Sequence, residues 1–132
     1  MLKIPRQIVS DIVKQGLDAA PIEACGILAG TGGHVQVHYP MTNIDQSSEH
    51  FAMKPEEQFQ AAKAIRHNKM DMLAIYHTHP ETPARPSQED IRLAFTPGVV
   101  YVIASLVDAE RPVVKGFLIE NGNVEEVLLE TV

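Results

Sequence analysis

Residues 71–90 read DMLAIYHTHPETPARPSQED, and this stretch decides how the rest of the chain is understood. Asp71–His79 is an apolar run of strand length, and Pro80, which has no amide hydrogen to give a neighbour, ends the pairing there. Pro80, Pro83 and Pro86 stiffen the connection that follows. Ser87 then opens a helix expected to reach about Phe95. A strand therefore passes to a helix through a short, rigid loop, with His77 and His79 at the end of the strand and Asp90 in the first turn of the helix.

Outward from that stretch the periodicity alternates between helix and strand. Ile8, Val9, Ile12, Val13 and Leu17 recur at helical spacing over residues 5–19, with Arg6, Asp11, Lys14 and Asp18 mostly on other faces. Pro21 closes this helix. Ala24–Ala29 reads as a buried strand, joined through a turn at Gly30–Gly33 to an alternating strand that carries Val35, Val37 and Tyr39. Residues 41–54 show no period and read mostly as loop. Pro55 with Glu56 and Glu57 starts a second helix running to about His67. Downstream, Val99–Leu106, Val113–Ile119 and Val124–Leu129 are strand-like, the last two joined by Asn121-Gly122, a pair suited to tight hairpin turns. The whole is mixed α/β, with no repeat, low-complexity tract or linker, and at 132 residues it fits one domain spanning 1–132.

Composition narrows the function classes. An apolar fraction of 45% with 21% charged residues is that of a globular protein. A net charge of −6, with only 11 Lys and Arg, well dispersed, argues against nucleic-acid binding and for a protein or peptide partner. No run approaches the roughly 18–20 apolar residues of a membrane helix, and the N-terminus lacks a signal-peptide core. The lone Cys25 cannot form an internal disulfide. A cytoplasmic protein is expected, without membrane association.

In a strand, side chains two apart point the same way, so His77 and His79 present both imidazoles in one direction and Thr78 faces away. A carboxylate from Asp90, brought back over the strand end, would complete three ligands and leave a fourth position for water, the pattern of catalytic zinc. Bound zinc brings the pKa of its water to about 7. Hydrolysis also needs a proton acceptor that is not a ligand, and Glu23 is the candidate. Each residue has a plainer reading. Ser87 to Asp90 makes a capping-box variant, Glu23 a solvated turn residue, and Cys25 with Gly26 a small packing position. Two histidines and one carboxylate also describe a non-haem iron(II) site, so chemistry alone leaves the metal open. His34, His50 and His67 have no partner spacing and are expected to be solvated.

Taken together, Glu23, His77-Thr78-His79-Pro80, six intervening residues, Ser87, two more and Asp90 resemble the signature of JAMM (MPN+) metalloproteases of the small stand-alone prokaryotic kind. The resemblance covers nearly the whole chain. It implies a cytidine-deaminase-like α/β fold, a single mixed sheet flanked by helices. It also implies Zn2+ on His77, His79 and Asp90, with Glu23 as proton acceptor and later donor, and Ser87 as a hydrogen-bond donor to the oxyanion. The implied substrate is a peptide or isopeptide bond at the C-terminal Gly-Gly tail of a ubiquitin-fold or sulfur-carrier protein. The alternative is a catalytically weak MPN-type interaction scaffold. A zinc deaminase is set aside, because such enzymes use a Cys-x-x-Cys pair and this chain has one cysteine.

Overall fold

Alternation along Asp71–His79 puts Ala74, Tyr76 and Thr78 on one side of the strand and Ile75, His77 and His79 on the other. A computed structural model describes residues 1–132 and shows both sides covered. In chain order the elements are β1 (Leu2–Ile4), α1 (Arg6–Ala19), β2 (Cys25–Thr31), β3 (His34–Met41), α2 (Pro55–His67) and β4 (Asp71–His79), then α3 (Gln88–Arg92), β5 (Val100–Ser105), β6 (Val113–Glu120), β7 (Asn123–Val127) and β8 (Leu129–Thr131).

The strands form one sheet in the order β7-β6-β5-β4-β2-β3-β1-β8. It is mixed: β4 with β5, β1 with β3 and β1 with β8 are parallel, and the other pairs are antiparallel. Leu128 alone separates β7 from β8, although these strands stand at opposite ends of the order, so the sheet is rolled until its ends nearly meet. At Gly116 a Cβ would lie 2.7 Å from the side chain of Leu129, a measure of how closely β6 and β8 approach.

Helix α1 lays Ile8 and Ile12 against Leu28, Ala74, Tyr76 and Val102 on one face of the sheet. Helix α2 lays Ala61 and Ile65 against Cys25, Ile27 and Ala29 on the other. Ile75 packs with this second group, so His77 and His79, which share its parity, emerge on the α2 side. Thr78 faces α1, where a Cβ on Gly16 would meet its methyl at 2.7 Å. No helix is long and apolar enough to cross a membrane.

The mixed α/β architecture, a single sheet flanked by helices, is the one expected, and α1, α2 and β4 lie where the periodicity puts them. Elsewhere the chain departs from expectation for local reasons. The first hairpin turns on Gly32 and Gly33 alone, at φ of 58° and 77°, while Gly30 and Thr31 stay in β2 beyond a bulge after Ala29. Helix α3 stops at Arg92 instead of reaching Phe95. Pro97 disfavours helical backbone at Thr96, and the Tyr101 hydroxyl oxygen accepts the Thr96 amide hydrogen at 3.0 Å, drawing the chain toward β5. The final strand-like run breaks at Leu128 into β7 and β8, and β8 pairs with β1, a three-residue strand too short to show a period.

Candidate metal centre

Strand β4 lies between β2 and β5, with His77 opposite Cys25 on one side and Ile103 on the other, so its backbone is fixed from both directions. The imidazoles it carries are nearly inaccessible, His77 at 2% and His79 at 3% exposure. Beyond Pro80 the loop folds back. His79 Nδ1 lies 2.9 Å from the Pro83 carbonyl oxygen, and the Ser105 hydroxyl donates to the Thr82 carbonyl at 2.6 Å. That return sets Ser87 as the N-cap of α3 and turns the carboxylate of Asp90 toward the strand end. Asp90 Oδ1 lies 3.2 Å from His77 Nε2, and Asp90 Oδ2 lies 2.9 Å from His79 Nε2. The two Nε2 atoms are 3.1 Å apart.

Glu23 reaches the same place from the segment that leads into β2. Its amide donates to the Ser47 carbonyl at 2.9 Å, its own carbonyl accepts from Asn43 Nδ2 at 3.0 Å, and the next amide, Ala24, donates to Thr78 Oγ1 at 2.8 Å. With the backbone clamped on both sides, the carboxylate is buried at 2% exposure, and ligand atoms of Glu23, His77 and His79 all lie within 4.8 Å of one another. Its Oε1 has no hydrogen-bond partner. Thus Glu23, His77, His79, Ser87 and Asp90, scattered over 68 positions of sequence, are brought together. Glu23 is not the solvated turn residue of the plainer reading.

The electrostatics show what this cluster can hold. Pro83 offers only a carbonyl, so His79 Nδ1 carries the proton in that contact, and the neutral ring presents a bare lone pair at Nε2. That lone pair faces a carboxylate oxygen 2.9 Å away and a second ring nitrogen at 3.1 Å. Acceptors packed this closely need a cation between them, a proton or a metal ion. Burial opposes ionisation of Asp90, yet the hydrogen-bonding partners His77 and His79 outweigh it and hold the carboxyl well below the usual range. Burial likewise disfavours charge on His79, but Asp90 and the Pro83 carbonyl prevail and raise its pKa. Glu23 goes the other way: burial first, then the Asp90 charge, push its carboxyl up to about 8, against the pull of His79.

The donor set also passes a geometric test. Ligands about 2.0–2.1 Å from a tetrahedral zinc ion stand about 3.3 Å from each other. The two Nε2 atoms, 3.1 Å apart, and the Asp90 oxygens that approach them, Oδ1 at 3.2 Å from His77 and Oδ2 at 2.9 Å from His79, stand near that spacing. Metal-bound histidines commonly donate their second ring hydrogen to a backbone carbonyl, as His79 does to Pro83. His77 has no such partner at Nδ1, and Phe51 stacks on its ring instead, with centroids 4.9 Å apart and planes inclined by 28°.

Some residues of the site are not legible in the sequence. Phe51 and Asn43 lie in the stretch without a period, and only the fold brings them to the site. His50, expected to be solvated and unpaired, is partly buried and bonds Asp45 at 2.9 Å, five residues upstream in a turn. His34 and His67 are exposed as expected.

Comparison with known proteins gives a consistent assignment. Residues 5–116 match the family described as prokaryotic homologs of the JAB domain. The CysO-cysteine peptidase of Mycobacterium tuberculosis is 34% identical over 128 residues, covering 96% of this chain and 88% of that protein. A probable TtuB-protein conjugate cleaving protease of Thermus thermophilus is 34% identical over 95 residues, 71% of this chain and 64% of that one. The solution structure of a protein from Desulfitobacterium hafniense superposes with a TM-score of 0.88 at 43% identity, covering all of this chain and 94% of that one. With a family match over most of its length and a relative of this similarity, the chain belongs to the prokaryotic homologs of the JAB domain, the JAMM/MPN family that its histidine motif resembles.

Proposed function

We propose that the chain is a zinc-dependent peptidase that cuts a peptide or isopeptide bond at the C-terminal Gly-Gly tail of a ubiquitin-fold or sulfur-carrier protein. The observation that carries this reading is the triangle of His77 Nε2, His79 Nε2 and Asp90 carboxylate with the unpartnered oxygen of Glu23 beside it. The names of two relatives, a CysO-cysteine peptidase and a TtuB-conjugate cleaving protease, support the class of bond and of partner. The lone cysteine fits a reducing, cytoplasmic setting.

In this reading His77, His79 and Asp90 hold the zinc ion, which when bound supplies an acidified water and polarises the scissile carbonyl. Glu23 takes the proton of the attacking water on its unpartnered oxygen and returns it to the leaving amine nitrogen. Its burial suits that shuttle, because a proton acceptor works best with a pKa near the working pH. Ser87 donates its hydroxyl hydrogen to the oxyanion. The oxygen of that hydroxyl is already occupied, accepting from Asp90 N at 3.0 Å, so the cap consumes a lone pair and leaves the hydrogen for the substrate. The Pro83 carbonyl holds the His79 ring through Nδ1, which would leave the Nε2 lone pair free to bind a metal ion.

The test is incubation with ubiquitin-fold carrier proteins bearing C-terminal extensions, read by intact mass, with metal content measured on each variant. The expected result is release of the extension after the tail, with one zinc per chain. Glu23→Gln should keep zinc and lose hydrolysis, whereas His77→Ala and Asp90→Ala should lose zinc. An active Glu23→Gln protein would refute the assigned proton acceptor, and intact carriers throughout would refute the function.

A further inference from the structure

Helix α1 crosses the sheet on the face opposite the candidate metal centre, and its contacts at Ile8 and Ile12 are apolar. One turn later they become polar. Gln15 Nε2 donates to the Cys25 carbonyl at 3.1 Å, and Gln15 Oε1 accepts the Tyr76 hydroxyl hydrogen at 2.5 Å. Gly16 follows, packed so closely that a Cβ there would meet Thr78 Cγ2 at 2.7 Å and Leu106 Cδ1 at 2.8 Å. These partners are neighbours of the site residues. Cys25 stands two residues after Glu23 and pairs with His77 across β2 and β4, while Tyr76 and Thr78 flank His77 in β4. Tyr76 is wholly buried, and its hydroxyl is satisfied on both sides, because His38 Nε2 donates to its oxygen at 2.6 Å. A fully satisfied buried network fixes direction as well as contact, which apolar packing does not.

We propose that Gln15 is a positioning residue for the hydrolysis: its two bonds hold β2, which follows Glu23, in fixed relation to β4, which carries His77. This rests on the function proposed above. Glu23 has to stand beside the metal ligands without joining them, so the offset between these two strands sets where its carboxylate meets the attacking water. Ser47 and Asn43 hold the Glu23 backbone from the loop side. Gln15 supplies the opposing hold from behind the sheet, touching neither the metal ligands nor the substrate.

The experiment compares the wild-type chain with Gln15→Ala, which removes both bonds, Tyr76→Phe, which removes one, and Ile12→Ala, which loosens α1 without touching either. Each is given a ubiquitin-fold sulfur-carrier protein with a C-terminal extension, at a temperature where urea unfolding shows every variant folded, and its zinc is measured. Gln15→Ala should lower kcat about tenfold, short of the roughly 10²-fold that a 1 Å misplacement costs, with KM within about twofold and one zinc per chain. Tyr76→Phe should lower kcat by a smaller factor. Ile12→Ala, although less stable, should keep the wild-type kcat. A Gln15→Ala chain with wild-type kcat, a fall that Ile12→Ala shares, or a fall that follows loss of zinc would overturn the role of Gln15 and leave the hydrolysis standing. A wild-type chain that leaves every carrier intact would overturn the function and the role of Gln15 with it.

Discussion

Ser87 and Asp90 hold each other by two reciprocal bonds: the Asp90 amide donates to Ser87 Oγ at 3.0 Å, and the Ser87 amide donates to Asp90 Oδ2 at 2.9 Å. The pair is a capping box that starts α3. The same bonds orient the carboxylate whose oxygens lie 2.9 and 3.2 Å from the two imidazoles. Helix capping and the proposed oxyanion contact, which compete for this serine when only the sequence is considered, would draw on different parts of one hydroxyl.

Removing that hydroxyl should therefore show two separable effects. Ser87→Ala is expected to cost about 1 kcal/mol of stability through the lost cap, and turnover should fall about 10²-fold through the lost donor. Ser87→Gly caps nearly as well as serine, within a few tenths of a kcal/mol. It should keep most of the stability and still lose the turnover. Urea unfolding and kcat on both variants check this; a glycine variant with wild-type turnover would remove Ser87 from the chemistry.

The sequence was most informative where one physical rule acts locally. The apolar, strand-length run of Asp71–His79, the proline that ends it and the first-turn chemistry at Ser87 and Pro55 are all readable within a few residues. What could not be read depends on partners distant along the chain. Leu2–Ile4 is a strand because residues 129–131 come back to pair with it, and Phe51 matters because β4 places His77 under it. The burial of Glu23 is of the same kind, fixed by Asn43 and Ser47 from the loop before α2 and by Thr78 from β4.

Gly26 illustrates a packing constraint that the sequence shows only as a small residue in a strand. A Cβ there would lie 2.3 Å from the ring and hydroxyl atoms of Tyr76, which is itself fully buried and cannot yield. Gly26→Ala should destabilise the fold by about 2–3 kcal/mol, in the range of core overpacking. Adding Tyr76→Leu should restore part of the loss, measured as the urea midpoint of single and double variants. A single variant as stable as wild type would show that the strands separate more easily than their register suggests.

His38 supplies a pH dependence away from the candidate metal centre. The Tyr76 hydroxyl donates to Gln15 Oε1 at 2.5 Å, so its oxygen accepts from His38 Nε2, 2.6 Å away. Burial lowers the pKa of His38 from 6.5, with Asp11 pulling the other way. Since the folded pKa lies below the unfolded one, the unfolded chain takes up the proton first. The stabilisation is complete above about pH 6.5 and declines as pH falls through that value toward the lowered folded pKa. His38→Gln should flatten this part of the stability–pH curve relative to wild type, measured by urea unfolding between about pH 5 and 8. Parallel curves would mean that His38 ionises alike in both states.

Asn43 tests whether the loop before α2 is part of the site or only covers it. Its Nδ2 donates to the carbonyls of Glu23 and His50 at 3.0 and 3.2 Å, and its Oδ1 accepts the amides of Asp45 and Ala52, both at 3.1 Å. Every bonding position of the amide is used, and the side chain is 8% exposed. Asn43→Ala leaves backbone groups on both sides without partners, for a loss of about 2–3 kcal/mol. It also frees the backbone that aims Glu23 while touching none of His77, His79 or Asp90. Zinc content should therefore stay near one per chain while kcat falls at least tenfold and KM changes little. If stability drops but kcat holds, Glu23 is positioned by the strands that follow it in the sheet and the loop is only a cover.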